Sequence, residues 1–422
     1  MCHAKVCLSA GVASALFLPS MFRKLAARVR NSEFDFRLLA PLLLVTVLVQ
    51  VVTAIIRITT SYRVFELDLS IVWLGVITAA FAAFPIVMAV QVGRFIDRGH
   101  DALTIWIGSA ILAVASAGFV VWPTAIGLLV VATVMGIGHI MLMASQQMLC
   151  VRAAKSPRAM ESVFGNYMVA GAIGQGAGPY IVGWAGGSAT VPPTGFLFTV
   201  ACVCAVISFA VSLTMRPRPD KPKISPGEKP VPVASLLRTP GLLPVIVAGV
   251  IMISASDIIV IYVPLLGAER SIDVHDIGLL LTARAAASMV ARLFYARMVA
   301  AAGRWPLMIA STIACAASFG ALAVPVPLPG MYAIMVVMGF SFGLATTLSI
   351  TITVDMTEVR ARGTANTLRI MGNRLGQFVL PFSAGLIAAF IGLTGLLGGM
   401  AVAIMASAAT MYWKRPVKPK AE

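Results

Sequence analysis

Apolar runs of about 20 residues recur along the chain, separated by short polar or basic segments. That is the length at which an α-helix crosses the hydrocarbon core of a bilayer. The runs predict twelve helices, over residues 38–60, 70–92, 102–121, 125–150, 162–184, 195–215, 241–266, 276–297, 305–324, 330–354, 364–390 and 393–413. One run reads differently. AGAIGQGAGPYIVGWAGG, residues 170–187, is crowded with glycine, which costs roughly 1 kcal/mol per residue in a helix relative to alanine. A phosphate-binding loop is excluded, because no Lys-Ser/Thr pair follows the glycines. The segment is therefore expected to be a membrane helix that lacks side chains so that neighbours can approach closely, as small-xxx-small faces allow.

Composition sharpens the class. The 422-residue chain is 59% hydrophobic and 11% charged, with a mean hydropathy of +0.94, whereas soluble domains carry about 25% charged residues. The formal net charge of +16 would suggest a nucleic-acid partner if it were spread evenly. Most of the Lys and Arg instead fall on alternate connections, the segment 216–240 and the two ends; Arg63 and Arg270 lie in loops on the other side. Short basic loops stay cytoplasmic, so the charge reports topology, with both termini inside and no nucleic acid. The expected location is a bacterial cytoplasmic membrane, crossed many times. The six cysteines (Cys2, Cys7, Cys150, Cys202, Cys204, Cys315) lack metal-ligand spacing and are expected to be small packing residues; no metal or cofactor is implied.

Residues 1–37 contain an apolar stretch too short to span, followed at once by RKLAARVRNSEFDFR. They are expected to form a cytoplasmic leader, unless Met21 is the true start. The Pro- and Lys-rich segment 216–240 divides the spans into two groups of six: a first bundle over 38–215, a cytoplasmic linker, and a second bundle over 241–413, with a basic tail at 414–422. Paired six-span halves are one way of building transporters, and the halves here repeat. At one constant offset Arg158 meets Arg360, Gly174 meets Gly376, Gln175 meets Gln377, Pro179 meets Pro381 and Gly183 meets Gly385. At an offset one residue longer, Met135-Gly136 meets Met338-Gly339, and GRFIDR (93–98) meets ARMVAA (296–301). Ordered matches in three places indicate parallel internal repeats.

These residues resemble the major facilitator superfamily over about residues 38 to 413. Its first-loop signature, of the type Gly-x-Leu-Ala-Asp-Arg-x-Gly-Arg, is similar to Gly93-Arg94-Phe95-Ile96-Asp97-Arg98-Gly99-His100, though the trailing basic pair is missing. The second copy is reduced to Arg297, Gly303 and Arg304. The resemblance implies that Gly93, Arg94, Asp97 and Arg98 brace one side of the first half in a gating contact. The fifth span resembles the superfamily's antiporter signature, Gly-x8-Gly-x3-Gly-Pro-x2-Gly-Gly, at Gly165, Gly174, Gly178, Pro179 and Gly183, with Val182 in place of one glycine. The fold this implies is all-α, with twelve transmembrane helices in two pseudo-symmetric six-helix bundles. Family members that expel cationic drugs often carry an acid in the first span and an Arg in the fourth; this chain has no acid in the first span and Ala132 at the matching fourth-span position.

Charged side chains inside spans are expensive and usually functional. Asp257 is the one acid well within a span. Asp257 on the seventh span and Arg284 on the eighth both lie about 12–14 Å from the outer edge at 1.5 Å per residue, so they are expected at one depth and able to pair. Arg374 lies about 16 Å into the eleventh span; Arg57, Arg292 and Arg369 are placed where they can snorkel. Two alternatives stand for Asp257: a titrating coupling group, with Arg284 and Arg374 holding an anionic moiety, or a permanent pair with Arg284 or Arg374 that fixes packing. His139, Gln146, Gln175, Asn373 and Gln377 complete the candidate binding and coupling residues.

The expected function is secondary active transport of a small organic molecule by alternating access, with a proton as coupling ion, acting as a monomer in efflux or antiport. Proton-linked uptake of an anionic metabolite is the alternative, and a non-transporting sensor a weaker one. No catalytic group of residues gathers at one depth, so no enzyme activity is expected.

Overall fold

The structure is a computed structural model that describes residues 34–215, 239, 241–357 and 362–414. The expected leader (up to residue 33), nearly all of the linker and the tail beyond 414 lie outside these, as does Arg360. The described chain is helical throughout: α1 Phe36–Glu66, α2 Ile71–Phe95, α3 Asp101–Val121, α4 Ala125–Ala153, α5 Pro157–Gly186, α6 Thr194–Ser212, α7 Leu242–Glu269, α8 Val274–Ala302, α9 Arg304–Ala323 and α10 Leu328–Asp355. The last helix, Arg362–Trp413, breaks at Gly392 (φ 72°, ψ 175°). This left-handed backbone suits glycine, and it divides the segment into α11 (362–391) and α12 (393–413).

Local chemistry sets the ends. Ser156 accepts from the Ala159 amide at 3.1 Å, with Pro157 at the first helical position of α5; Thr124 does the same for Gly127 at 3.2 Å at the start of α4. Such caps satisfy amides that the helix leaves orphaned. Within the helices, hydroxyls turn back onto carbonyls one turn earlier, as in Thr46 to Leu42 and Thr53 to Val49, both 2.8 Å. A polar group in hydrocarbon thereby keeps a partner. Among the described residues, ten helical segments are long and apolar enough to cross a membrane. That count merges α11 with α12 and omits α5, whose glycines, Gln175 and Pro179 dilute its hydropathy.

The first six helices pack among themselves, as do the last six; across the divide α5 meets α8, α2 meets α11 and α1 meets α7. Glycine permits the closest of these crossings. A Cβ on Gly183 of α5 would lie 3.0 Å from both the Gly278 Cα and the His275 carbonyl of α8, and a Cβ on Gly75 of α2 would lie 3.0 Å from the Gly385 Cα of α11. Gly75 stands to Gly278 as Gly183 to Gly385 in the repeat, so the two contacts are copies of each other across the pseudo-twofold. Both lie at the end of the bundle remote from the termini. There the backbones also join: Val274 donates to the Ala189 carbonyl at 2.9 Å and His275 to that of Gly187 at 3.0 Å. The two halves are thus sealed at the far end.

Candidate functional site

Asp257, midway along α7, holds the centre of the molecule together. Its Oδ1 accepts from the Arg57 guanidinium of α1 at 2.8 Å. Its Oδ2 accepts from Gln377 Nε2 of α11 at 2.9 Å, and Gln377 Oε1 in turn accepts from Arg374 at 3.1 Å. Arg57 lies over the Phe81 ring, 5.7 Å from its centroid. One carboxylate therefore links the two halves and, through one amide, touches a second cation.

The pairing expected from depth is not made. Arg284 donates to Ser256 Oγ at 2.9 Å rather than to Asp257. Successive helical side chains diverge by about 100°, so Ser256 faces α8 while Asp257 faces α1 and α11. Arg57, expected to snorkel, is instead the direct partner of Asp257. Its signal was present in the repeat: α1 and α7 are the leading helices of the two halves, and Arg57 lies nine residues before the end of α1, close in depth to Asp257.

The repeat organises the neighbours too. A Cβ on Gly136 of α4 would run into the Phe81 carbonyl, and one on Gly339 of α10 into the Arg284 carbonyl. Phe81 packs on the His139 ring at 5.3 Å between centroids, and Arg284 sits 5.8 Å over Phe342. Phe81 and His139 are the repeat mates of Arg284 and Phe342, so each half carries one aromatic and one basic group at the same crossing, with the roles exchanged. His139 is 9% exposed and neither ring nitrogen has a hydrogen-bond partner among the described residues. Arg284 is 6% exposed, and its Nε likewise has none.

Gln146 is buried on α4, where Tyr167 reaches its Oε1 at 3.5 Å, the limit for a hydrogen bond. Asn373 points a buried, unpartnered Oδ1 into the helix packing. Gln175 is exposed, whereas its mate Gln377 is half-buried and bonded to Asp257. The cysteines are mixed: Cys150 and Cys315 are buried, whereas Cys202 and Cys204 are half-buried and not fully enclosed.

Gly174 and Gly178 face α1: a Cβ on the first would lie 2.5 Å from the Val47 carbonyl, and on the second 2.5 Å from the Ala54 Cβ. Gly165 has open space around it, so packing gives no reason for glycine there. In the first loop, Gly93 and Arg94 close α2, and Ile96–His100 form a wide helical turn in which Gly99 takes φ 90°. Arg94 and Arg98 are exposed; the side chain of Asp97 lies outside the described residues. The acid seen to bond an arginine of a neighbouring helix in this region is Asp101, fully buried, 2.9 Å from Arg152 Nε at the end of α4.

Next to this centre, on the side of the termini, lies a cavity of about 620 Å³. It is walled by the early turns of α7 (Leu243, Val247) and α11 (Met371, Leu375), with Ile86 of α2 and Ile140 of α4 opposite, and Arg374 lines it. Asp257 and Arg57 neutralise each other, which leaves Arg284 and Arg374 without a carboxylate contact among the described residues.

Two helical repeats sealed at one end, with a central ionic group and a cavity toward the other, define a polytopic carrier. The sequence model of the Major Facilitator Superfamily matches residues 42–271 and 245–422. The chain belongs to this superfamily and is a multi-pass membrane transporter. Among solved structures it is similar to a nucleoside transporter NupG (D323A mutant), with a TM-score of 0.76 at 14% identity over 89% of this chain and 100% of that one. It is similar to a bacterial homolog of the human lysosomal transporter Spinster, inward-facing and occupied, at 0.75 and 13% over 91% and 97% of the two chains. A D-xylose–proton symporter follows at 0.73 and 14%, over 91% and 98%. At such identities the likeness is one of fold. No curated protein sequence matches the chain.

Proposed function

We propose that this transporter is a secondary carrier that moves a small organic molecule by alternating access across a cytoplasmic membrane, coupled to protons and running as efflux or antiport. Residues 38–215 and 241–413 are the two rocking bodies, joined by a cytoplasmic tether, in a protein that works as a monomer. With both termini cytoplasmic, the sealed far end and the cavity on the terminal side make this the inward-facing state. The observation that carries the reading is the placement of Asp257: one carboxylate bonded to Arg57 in the first half and to Gln377 in the second. Adding a proton to Asp257 removes the charge that holds Arg57, so the link between the bodies depends on proton binding. The glycine pattern of α5 supports antiport.

The cations Arg284 and Arg374, which touch no carboxylate among the described residues, favour a second reading, proton-linked uptake of an anion. Both are tested in proteoliposomes on a solid-supported membrane, challenged with organic anions, cations and neutral compounds under imposed pH gradients. Gradient-driven currents that vanish in Asp257→Asn, while solute exchange persists, are expected. Currents of wild-type size in Asp257→Asn refute the role given to Asp257. The polarity of the current and the charge of the compounds that evoke it separate efflux from uptake.

A further inference from the structure

At the far end of the second bundle, the turn between α7 and α8 and the connection from α9 to α10 bound a cavity of about 550 Å³. Arg270, Asp273 and Asp276 line it, with Ile272, Val326 and Leu328 in its apolar wall. The turn itself belongs to the repeated scaffold. Asp68 in the first half and Ser271 in the second are mates at the longer offset, and both take left-handed backbone, with φ 49° and 55°. The amide bonds around them match one for one: Leu67 to Arg63 and Leu69 to Val64 in one turn, Arg270 to Leu266 and Ile272 to Gly267 in the other. The charges are not part of that scaffold. The mates of Arg270, Asp273 and Asp276 are Leu67, Ser70 and Trp73, so the same turn forms without them.

The protein leaves all three charged groups with bonding capacity to spare. Asp273 is the N-cap residue of α8, yet its side chain makes no capping bond, where an aspartate ordinarily accepts from the first free amides. Asp276, three residues on and so on the same face of the helix, accepts from Tyr332 at 3.1 Å. Arg270 donates from one terminal nitrogen to the Leu322 carbonyl at 3.1 Å. Its other terminal nitrogen is buried without a partner among the described residues. Such an orphaned donor costs about 1–3 kcal/mol, and in a native fold it points to a group that completes it. Arg270 nonetheless forms no ion pair with either aspartate among the described residues. One cavity thus keeps a guanidinium and two carboxylates apart, an arrangement suited to a ligand that carries both charges.

We infer that this cavity is a second binding site, for a free zwitterion of the amino-acid type. Its ammonium group sits between Asp273 and Asp276, its carboxylate on Arg270, and its apolar side chain against Ile272, Val326 and Leu328. Three ammonium donors suit two carboxylates, and an arginine fork matches a carboxylate. A bare divalent cation fits worse: calcium takes six to eight oxygen ligands, and Arg270 repels it. The site is separate from the ionic centre, because Asp257 lies twelve residues before the end of α7 at Glu269, about 18 Å along the axis. In the orientation proposed above it opens on the outer face. It also adjoins the seal. Val274 and His275, whose amides bond the Ala189 and Gly187 carbonyls of the first half, lie between the two aspartates in sequence. A ligand that clasps both aspartates therefore stiffens the turn that carries those bonds.

The test is equilibrium binding of tritiated L-leucine to the full-length protein in phosphatidylcholine nanodiscs, read by scintillation proximity. Saturable binding is expected. 4-Methylpentanoate, which lacks the ammonium group, and 3-methylbutylamine, which lacks the carboxylate, should each compete at least about ten-fold less well, the loss of one charge-assisted contact. Asp273→Asn breaks no side-chain bond of the fold and should weaken binding by a similar factor, as should Arg270→Gln. Asp257→Asn should bind leucine as the wild type does. No saturable binding overturns the proposal, as does competition by either half-molecule equal to that of leucine, or wild-type affinity in both Asp273→Asn and Arg270→Gln. Loss of binding in Asp257→Asn places leucine at the ionic centre and overturns the second site. Nanodiscs of phosphatidylethanolamine, whose headgroup also joins an ammonium to an oxyanion, should bind leucine equally; abolished binding there assigns the site to the lipid and overturns the free zwitterion. Hydrogen exchange at the Val274 and His275 amides should slow when leucine is added to the wild type and stay unchanged in Asp273→Asn. Unchanged exchange in the wild type at saturating leucine overturns the link to the seal.

Discussion

Replacing Asp257 by Asn and Arg57 by Gln, singly and together, probes the contact on which the coupling argument depends. Two unit charges about 4 Å apart attract by about 4 kcal/mol at an effective dielectric of 20. The side chains keep 19% and 14% of their exposure, and desolvation opposes the attraction, so a coupling of about 2 kcal/mol is the working figure. The single changes are unequal. In Asp257→Asn the arginine still has the Phe81 ring at 5.7 Å, worth about 1 kcal/mol. In Arg57→Gln the carboxylate keeps only the neutral Gln377 amide at 2.9 Å. Arg57→Gln is therefore expected to destabilise more, by about 3 kcal/mol against about 2 kcal/mol for Asp257→Asn. The double variant should lose no more than Arg57→Gln alone. Reversible unfolding in mixed micelles, titrated with SDS from the folded and the unfolded side, gives the four free energies. Single effects that add to within about 0.5 kcal/mol, the behaviour of independent sites, would show that the two charges do not act as a pair and would remove the basis for coupling through Asp257.

Three further outcomes follow from the packing. Gly183→Val places methyl groups where a Cβ already lies 3.0 Å from the Gly278 Cα and the His275 carbonyl, so the far end should be forced apart. Spin labels at Ser70 and Ser271 should then move to longer distances, and an unchanged distribution would contradict the seal described here. His139→Phe removes two buried nitrogens that have no partners and should stabilise the protein by about 1–2 kcal/mol in the same unfolding assay; a loss of stability would mean that His139 is bonded in the working protein. Asp101→Asn leaves Arg152 without its buried counter-ion and should cost about 3 kcal/mol, with a change under about 0.5 kcal/mol, the size of an ordinary surface substitution, as the refuting result.

Much of the architecture was legible along the chain, because a bilayer imposes a length on every span and a cost on every charge. The break between the last two spans, placed at residues 391–392, coincides with Gly392, whose backbone only a glycine adopts readily. The repeat was equally legible. Gly174 and Gly376 recur because each lets its helix approach the leading helix of its own half, meeting Val47 in one and Val250 in the other. Gly183 and Gly385 recur because each crosses to the opposite half. The sequence could not tell these two uses of glycine apart.

The site was less legible. Its members were found from burial cost alone: Asp257, Arg284, Arg374 and Gln377 are conspicuous as polar residues in apolar helices. Their partners were not, since depth along a helix says nothing about the direction in which a side chain points. Rotation by one residue separates the face of Ser256, which meets Arg284, from that of Asp257, which meets Arg57 and Gln377. The sequence by itself determined the membrane class, the twelve spans, the duplication and the inventory of buried charge, all properties carried by periodicity and composition. The tertiary structure decided which end is sealed, which cation neutralises the one central acid, and that Arg374 reaches that acid through the Gln377 amide. Those depend on how helices remote in sequence are rotated against one another, which follows from the mutual packing of the two bundles and is written in no single span.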